Sequence, residues 1–275
     1  MKIKLILLLM LFGVFAFGQK MPSDYFDEAG DYFEEGQLDK ALAGYMYIVK
    51  KHPGNKLYPR AVHNVGYIYF LQKKYKKSID FYTILLNGGQ NEREALGGGI
   101  MDDPYTNYKH RAAEQISECY YELHKYDSAL YYLALSDTVY PFISDCGNAY
   151  ASNDIQTALR YADIYLKLGQ KYKAIEKLLP EIFNTELANN SEIISKLEWL
   201  LAGKTNLLKE LDKSIDNVYL KTVTSTYRSY QRYCIEYMGV EVVYPEGFNS
   251  QEYNEEGVKN RMRQSEFYKM IERIN

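Results

Sequence analysis

The stretch Tyr25–Pro53, YFDEAGDYFEEGQLDKALAGYMYIVKKHP, sets the pattern from which the fold follows. Tyrosines, small residues and a proline occur in it in the order Tyr25, Ala29, Tyr32, Gly36, Ala41, Tyr45 and Pro53. Two antiparallel helices that pack tightly need a small residue on each where they cross, and Ala29 and Ala41 supply that pair. Gly36 allows the tight turn between the helices. The stretch therefore predicts a helical hairpin.

The same order recurs three more times along the chain. A small residue is followed three positions later by tyrosine, then by a second small residue and a large apolar residue. The three further sets are Val62, Val65, Gly66, Tyr69, Tyr75, Ser78 and Tyr82; Ala113, Ile116, Ser117, Tyr120, Tyr126, Ala129 and Leu133; and Ala158, Tyr161, Ala162, Tyr165, Gly169, Ala174 and Leu178. One such unit cannot bury its apolar face alone, so the units must stack on one another.

These four sets, across residues 22–186, resemble the tetratricopeptide repeat (TPR) family, whose signature places Leu-Gly, Tyr, Ala, Phe and Pro across about 34 residues. The resemblance implies an all-α fold, a right-handed α-solenoid of antiparallel helix pairs. A general helical bundle rich in alanine and tyrosine is the alternative. The predicted domains are a signal peptide at 1–18, a repeat array at 19–186, and a C-terminal segment at 187–275.

The spacing departs from the family pattern. Successive repeat tyrosines Tyr32, Tyr69, Tyr120 and Tyr165 are 37, 51 and 45 residues apart. The excess predicts two long connections, a glycine-rich one at 87–103 with a short helical turn at Glu92–Leu96, and another around Val139–Asn153. Long loops between repeats can line a functional face or have no function.

The pattern changes beyond residue 186. Ser191–Ala202 and Asn206–Val218 are predicted to form an amphipathic helix pair, either a degenerate fifth repeat or the cap of the array. Trp199 lies opposite the apolar stripe of the first helix, either packed on a neighbour or exposed as a contact residue. Alternating residues across Tyr233–Tyr244 predict a β-hairpin with Met238-Gly239 at its turn, and Glu255–Ile274 is predicted to be one helix.

The N-terminus predicts export. Lys2 and Lys4 precede an apolar run from Leu5 to Phe17, and small residues at positions 16 and 18 suit cleavage before Gln19. The run is too short to span a bilayer, which needs roughly 20 residues. We expect a periplasmic or secreted protein with no membrane insertion after cleavage. Without Lys2 and Lys4, the mature chain is mildly acidic, which argues against a nucleic-acid partner.

No catalytic pattern is present in the sequence. The histidines His52, His63, His110 and His124 have no metal-ligand spacing, and glycine-rich phosphate motifs and nucleophile elbows are missing. We therefore expect no enzyme activity, no cofactor and no metal. Cys119, Cys146 and Cys234 are too few for a disulfide scaffold, and they are interpreted as half-buried thiols that behave as small apolar residues or as one bridge between Cys119 and Cys146.

The resemblance implies that the first helix of each pair lines a concave groove for a protein or peptide. The groove positions fall on Phe26, Gly30, Phe33, Arg60, His63, Tyr67, Phe70, Arg111, Glu114, Glu118, Tyr121, Leu159, Asp163 and Leu166. The predicted binding residues are Phe33, Arg60, His63, Tyr67, Phe70, Arg111 and Tyr121, because aromatic and arginine side chains dominate binding energy. Residues expected for a carboxylate clamp are missing. Carbohydrate binding, and a role as an envelope-assembly or immunity-type subunit, are the alternatives, and the oligomeric state is left open.

Overall fold

The computed structural model describes residues 20–95, 105–184, 188–224, 229–245 and 253–275. The predicted signal peptide lies outside these residues. The described residues form twelve α-helices and three strands. The helices are α1 (Pro22–Glu34), α2 (Leu38–Lys51), α3 (Tyr58–Leu71), α4 (Tyr75–Asn87), α5 (Tyr108–Glu122), α6 (Tyr126–Thr138), α7 (Gly147–Lys167), α8 (Lys171–Leu178), α9 (Ser191–Leu201), α10 (Leu207–Asp216), α11 (Glu255–Gln264) and α12 (Glu266–Ile274). A 3₁₀ turn, Leu179–Glu181, follows α8.

Helices α1 to α8 form four antiparallel pairs, which confirms the predicted repeat. The small residues at the crossings are all buried, and two crossings are joined by hydrogen bonds. Ser78 Oγ donates to the carbonyl of Gly66 at 2.8 Å, and Ser117 Oγ donates to the carbonyl of Ala129 at 2.8 Å. A side chain can reach the opposite backbone only where the two helices nearly touch. Small residues are therefore required at these positions because the facing helix leaves no space for larger ones; at Gly66, for example, an added Cβ would lie 3.0 Å from the ring of Tyr82.

The turn inside each pair always contains a residue with positive φ. Gly36 and Gly169 have φ of 75° and 71°, as expected from the sequence. The equivalent residues of the other two pairs are Lys73 and His124, each with φ of 56°. Glycine enters this region at least cost, whereas other residues are held there by their surroundings. The two glycines indicated positive φ in the first and fourth turns, whereas nothing in the sequence indicated it at Lys73 or His124.

The repeated tyrosines lie beside the crossings, where their rings contact the second helix of the pair. Lysine Nζ atoms lie over the rings of Tyr32, Tyr69 and Tyr165 at 4.9, 5.4 and 5.5 Å from the ring centres. Each lysine is eight residues after its tyrosine. In the third pair Tyr120 stacks on Tyr132 instead, with ring centres 5.4 Å apart. The repeat tyrosine thus makes a cation–π contact in three of the pairs and an aromatic stacking contact in the third pair.

The two long connections differ from their predictions. At the first, residues 92–93 form a turn and Ala95 pairs with Tyr105 in an isolated antiparallel bridge, so the helical turn predicted at Glu92–Leu96 is not formed by its described residues. Residues 96–104 lie outside the described chain. At the second, the loop is shorter than predicted because α7 begins at Gly147. Residues 147–153 are helical, so much of the extra length extends α7.

The C-terminal helix pair α9 and α10 is confirmed. The apolar stripe of α9 is buried, comprising Ile193, Ile194, Leu197, Leu200 and Leu201. Trp199 on the opposite side is 60% exposed, with Lys171 Nζ 5.2 Å from the ring centre. Of the two interpretations of Trp199, the exposed one is therefore correct.

The predicted hairpin is present, but it is part of a larger sheet. Strands β1 (Tyr219–Thr224), β2 (Ser229–Tyr237) and β3 (Val240–Val243) form an antiparallel sheet in the order β1-β2-β3. The hairpin turn is Met238-Gly239, whose φ angles of 53° and 76° are both positive, as a type I′ turn requires. Strand β1 was missed, because the change of pattern was recognised only from Tyr233 onward.

The prediction of one helix over Glu255–Ile274 is wrong, since the helix breaks at Ser265. This residue has extended backbone angles, and its Oγ accepts a hydrogen bond from the Tyr268 amide at 3.1 Å. Serine is a favoured N-cap because its hydroxyl accepts a hydrogen bond from an otherwise unsatisfied amide of the first helical turn. The break gives α11 and α12 separate directions. Their apolar residues Val258, Met262, Phe267, Met270 and Ile271 are all buried.

The chain divides into two compact units, Met1–Gln90 and Asn91–Asn275, called unit 1 and unit 2 below. Unit 1 contains the first two helix pairs. In unit 2, one apolar core runs from Ile155 of α7 to Ile271 of α12 and includes the sheet residues Ile235, Tyr237 and Val242. The fourth helix pair therefore shares its core with the C-terminal segment. The predicted domain boundary between the repeat array, which ends at residue 186, and the C-terminal segment stays a prediction.

The three cysteines all lie in the described chain, and no disulfide joins them. Cys119 is buried in α5, Cys234 is buried in β2, and Cys146 is half-buried before α7. Burial raises the pKa of the Cys234 thiol. None of the described helices has both the length and the apolar character needed to cross a bilayer.

Candidate functional site

The predicted binding residues fall into both units. Phe33, Arg60, His63, Tyr67 and Phe70 lie on α1 and α3 of unit 1, and Arg111 and Tyr121 lie on α5 of unit 2. In each unit we call the surface formed by these first helices the first-helix face. The two faces are built from different kinds of side chain.

The first-helix face of unit 1 is aromatic. Phe33 of α1 and Tyr67 of α3 are in contact, with ring centres 6.0 Å apart. Tyr67 is 37% exposed, although Gly66 beside it is buried. Phe70 and Leu71 follow Tyr67 by three and four residues, so they lie on the same side of α3. Leu71 is 40% exposed. These four residues, Phe33, Tyr67, Phe70 and Leu71, are called the aromatic patch.

Other predicted residues of unit 1 are partly committed to packing. His63 meets the buried ring of Tyr82 edge-on at 5.5 Å, and Phe26 meets Tyr45 edge-on at 5.1 Å. Phe70 also packs on Tyr75 of the same helix pair, at 5.6 Å. Arg60 lies half-buried in the first turn of α3. Tyr67 is therefore the residue of the predicted set that unit 1 exposes most.

The first-helix face of unit 2 is charged. Glu114 of α5 forms an ion pair with Arg160 of α7, and Asp163 of α7 forms one with Lys196 of α9. Each pair joins the first helices of neighbouring hairpins. Glu118 lies between them, and burial raises the pKa of its carboxyl group even though Arg160 opposes this shift. This face is thus held together by opposite charges, whereas the face of unit 1 is apolar.

Leu159 was predicted to face the groove, but it is 4% exposed and lies in the core of unit 2. The exposed side of α7 instead carries Arg160 and Asp163, which share one face at a spacing of three residues. Arg160 and Lys196 were missed by the sequence reasoning. Arg160 could have been found by shifting the assumed face of α7 by one residue. No sequence signal indicated Lys196, because the helix pair that carries it lacks the repeat pattern.

Arg111 lines a cavity of about 280 Å³ between α5 and α7, together with His110, Glu114, Asn153 and Arg160. His110 is 4% exposed. Its Nδ1 lies 2.9 Å from the carbonyl oxygen of Tyr140, and its Nε2 lies 3.2 Å from Asn153 Oδ1. His110 therefore links the loop after α6 to α7, and the cavity is lined by charged and polar side chains together with Phe142 and Ala149.

Tyr121, the remaining predicted residue, is half-buried and meets Tyr126 edge-on at 5.6 Å. It packs against the cluster of Ala129 and Leu133 and thus contributes to the hairpin core of α5 and α6. Within the described chain, no three histidine, cysteine or carboxylate side chains converge as a metal site would require.

A carboxyl group in unit 2 makes the stability depend on pH. Burial raises the pKa of Glu181 to about 7, although Asn184 Nδ2 donates to its Oε2 at 3.1 Å. In the unfolded chain this carboxyl has its ordinary pKa of 4.5. Between these two values the unfolded chain has lost the proton and the folded chain keeps it. The stability contributed by Glu181 is therefore present below pH 4.5 and is lost as the pH rises to about 7.

We expect Glu181→Gln to stabilise unit 2 by about 1–3 kcal/mol at pH 8 and to have little effect at pH 4, because glutamine cannot ionise. Urea unfolding at both pH values, followed by the fluorescence of Trp199, measures the difference. Glu192→Gln, at an exposed position of α9, is the matched control. Equal stability of Glu181→Gln and the parent protein at pH 8 would contradict the assignment.

Comparison with known proteins finds no matching family model and no matching curated protein. Among solved structures, YrrB, described as a TPR protein with an unusual peptide-binding site, is 15% identical and covers 72% of this chain and 87% of its own, with a TM-score of 0.46. A TPR repeats protein from Bacteroides fragilis is also 15% identical, covering 72% and 79%, with a TM-score of 0.38. The TPR2AB domain of yeast Sti1, solved as a complex with pHSP90, is 15% identical, covering 71% and 77%, with a TM-score of 0.35. Because the sequence identities are 15% and the TM-scores are below 0.5, these similarities do not indicate what this chain binds.

Proposed function

We propose that this chain is an exported scaffold that binds a protein or peptide through the first-helix face of unit 1, without catalysis. The aromatic patch supports this proposal most directly. Tyr67 and Leu71 keep more than a third of their surface exposed while lying beside Phe33 and Phe70. Tyrosine and phenylalanine bury large areas with few rotatable bonds, so they are efficient anchors for a partner.

The patch suits a protein or peptide because it is open and mainly apolar. Extended and helical peptides both present apolar side chains that can pack against exposed aromatic rings. The charged face of unit 2 differs, since Glu114 is paired there with Arg160 and Asp163 with Lys196.

We expect Tyr67→Ala to weaken binding of the native partner by about 1–2 kcal/mol or more. The stability should change by less than about 1 kcal/mol, because Tyr67 is partly exposed and contributes mainly one ring contact. The measurement is a pull-down from envelope extract of the native host, with thermal unfolding recorded on the same samples. Tyr131→Ala is the matched control, because Tyr131 is 60% exposed and lies on α6 of unit 2.

Three outcomes would contradict this assignment. If Tyr67→Ala captures the partner as well as the parent protein does, the aromatic patch is not the binding face. If the parent protein captures no protein but is retained on a glycan array, and Tyr67→Ala is not, the patch binds carbohydrate instead. A loss shared equally by Tyr67→Ala and Tyr131→Ala would indicate nonspecific adhesion.

Export is the second part of the proposal, and it rests on Lys2, Lys4 and the apolar run that follows them. We expect the chain isolated from the envelope fraction of its host to begin at or near Gln19. Mass analysis of the N-terminal peptide measures this directly. A mature chain that retains Met1, or one found only in the cytoplasm, would contradict export.

A further inference from the structure

Strand β1 lies at one edge of the sheet in unit 2. Within the described chain it pairs with β2 alone, and its side chains are exposed, Leu220 at 53% and Tyr219 at 39%. An edge strand presents one row of backbone amides and carbonyls that no neighbouring strand satisfies. Proteins commonly protect such an edge with charge, proline, a bulge or a covering element.

The backbone groups that face the free edge can be identified from the strand register. The Tyr244 amide donates to the Tyr233 carbonyl at 2.8 Å, so Tyr233 directs its backbone groups away from β1. Successive residues of a strand direct their backbone amide and carbonyl groups to opposite sides. The backbone groups of Arg232 and Cys234 therefore point toward β1. Their partners there are Lys221 and Tyr219. The alternate residues of β1, Leu220 and Thr222, therefore point their amides and carbonyls outward, and so does the backbone of Thr224.

The charge that could protect this edge from pairing with another strand is already paired within the sheet. Lys221 is the one charged residue of β1, and its Nζ lies 2.5 Å from Glu241 Oε1. Tyr219 donates to the other oxygen of the same carboxylate at 2.9 Å. The hydrogen bond from Lys221 holds the pKa of Glu241 below its ordinary value, so the carboxylate remains charged beside the lysine. Proline does not occur in β1, whose sequence is YLKTVT.

We propose that β1 pairs antiparallel with β1 of a second copy of this chain, across a twofold axis at Thr222. In this register Thr222 lies opposite itself, and Leu220 lies opposite the backbone of Thr224. All of these residues direct hydrogen-bonding groups outward. Lys221 lies opposite Val223, so the two lysines are diagonal neighbours and not directly opposite each other. The two three-stranded sheets become one continuous sheet of six strands.

The nearest competing register places the axis at Lys221. It sets the two lysines directly opposite each other, which is destabilising in a cross-strand pair. It also uses only Leu220 and Thr222 for hydrogen bonds, and leaves Thr224 unused. The Thr222 register is therefore favoured both by charge and by the number of hydrogen bonds. A dimer would carry two aromatic patches, and a partner with two binding segments would be held more tightly by it.

A short strand buries less surface than the roughly 1,600 Å² of a standard interface, so the dimer should be concentration-dependent. Sedimentation of the mature chain from about 5 to about 500 μM should show a monomer–dimer equilibrium in this weak range. Thr222→Pro removes the outward amide without breaking the β1–β2 hydrogen bonds, and should shift the equilibrium to monomer at least tenfold. Thr222→Val retains the amide and should dimerise like the parent. Circular dichroism checks that both variants fold.

Amide exchange of the parent chain gives an independent test that needs no variant. The amides of Leu220 and Thr222 should exchange more slowly at high concentration than at low concentration. Those of Lys221 and Val223 bond to β2 and should be slow at both. A chain that stays monomeric throughout, or exchange at Leu220 and Thr222 that does not change with concentration, would overturn the proposal. Dimerisation of Thr222→Pro at parental strength would overturn it as well.

Discussion

Phe267→Ala is expected to lower the free energy of unfolding of unit 2 by about 3–5 kcal/mol. Phe267 is completely buried, and its ring contacts Phe183 and Tyr237 with centres 6.5 and 5.9 Å apart. These contacts join α12, the segment after α8, and the sheet. Truncation would leave a cavity at the point where three elements meet, and the surrounding side chains belong to different elements that cannot all close around it.

Urea unfolding followed by the fluorescence of Trp199 measures this loss, because the tryptophan lies in α9 of the same unit. Phe267→Leu is the control, since it preserves most of the apolar volume and should cost less than about 1.5 kcal/mol. If Phe267→Ala cost less than about 1 kcal/mol, the C-terminal helix would not be part of the core.

Ala41→Leu is expected to destabilise unit 1 by about 3 kcal/mol, the upper end of the range for overpacking. Ala41 is completely buried and occupies the crossing position that Ser78 occupies in the next pair. At that position the Ser78 hydroxyl reaches the backbone of the opposite helix at 2.8 Å. A leucine at this completely buried crossing would have no free space to enter, so the two helices would have to move apart to accommodate it.

Ala43→Leu is the matched control, because Ala43 is exposed on the same helix and receives the same substitution. It should change the stability by less than about 0.5 kcal/mol. Thermal unfolding followed by far-ultraviolet circular dichroism compares the two variants. Equal melting temperatures would show that the small residue at position 41 is not required by helix packing.

The repeat pattern was sufficient to predict the four helix pairs, because close crossings restrict residue size directly. An alanine or serine repeated at a fixed interval from tyrosine is typical of helices that pack in close contact. The turns at Lys73 and His124 could not be predicted in the same way. Their positive φ is imposed by the helices on either side, whereas a glycine indicates that conformation in the sequence itself.

The candidate site was predictable in part. The exposure of Tyr67 followed from its place beside the crossing residue Gly66, since neighbouring positions on a helix face different directions. The ion pair between Asp163 and Lys196 forms only because α7 and α9 pack side by side. That packing cannot be inferred from a single sequence. Strand β1 was missed because its side chains from Tyr219 to Val223 are exposed or half-buried, so it lacks the alternation of buried apolar and exposed residues that indicated the hairpin.

We expect the exposed ring of Tyr67 to touch a protein partner directly. Replacing Tyr67 with the photoreactive residue p-benzoylphenylalanine tests it in the native host, and the same replacement at Tyr131 is the control. Illumination should crosslink the variant at position 67 to one envelope protein or peptide, and the variant at position 131 should give no such product. If position 67 gives no crosslinked protein, or gives the same products as position 131, the aromatic patch does not bind a protein partner.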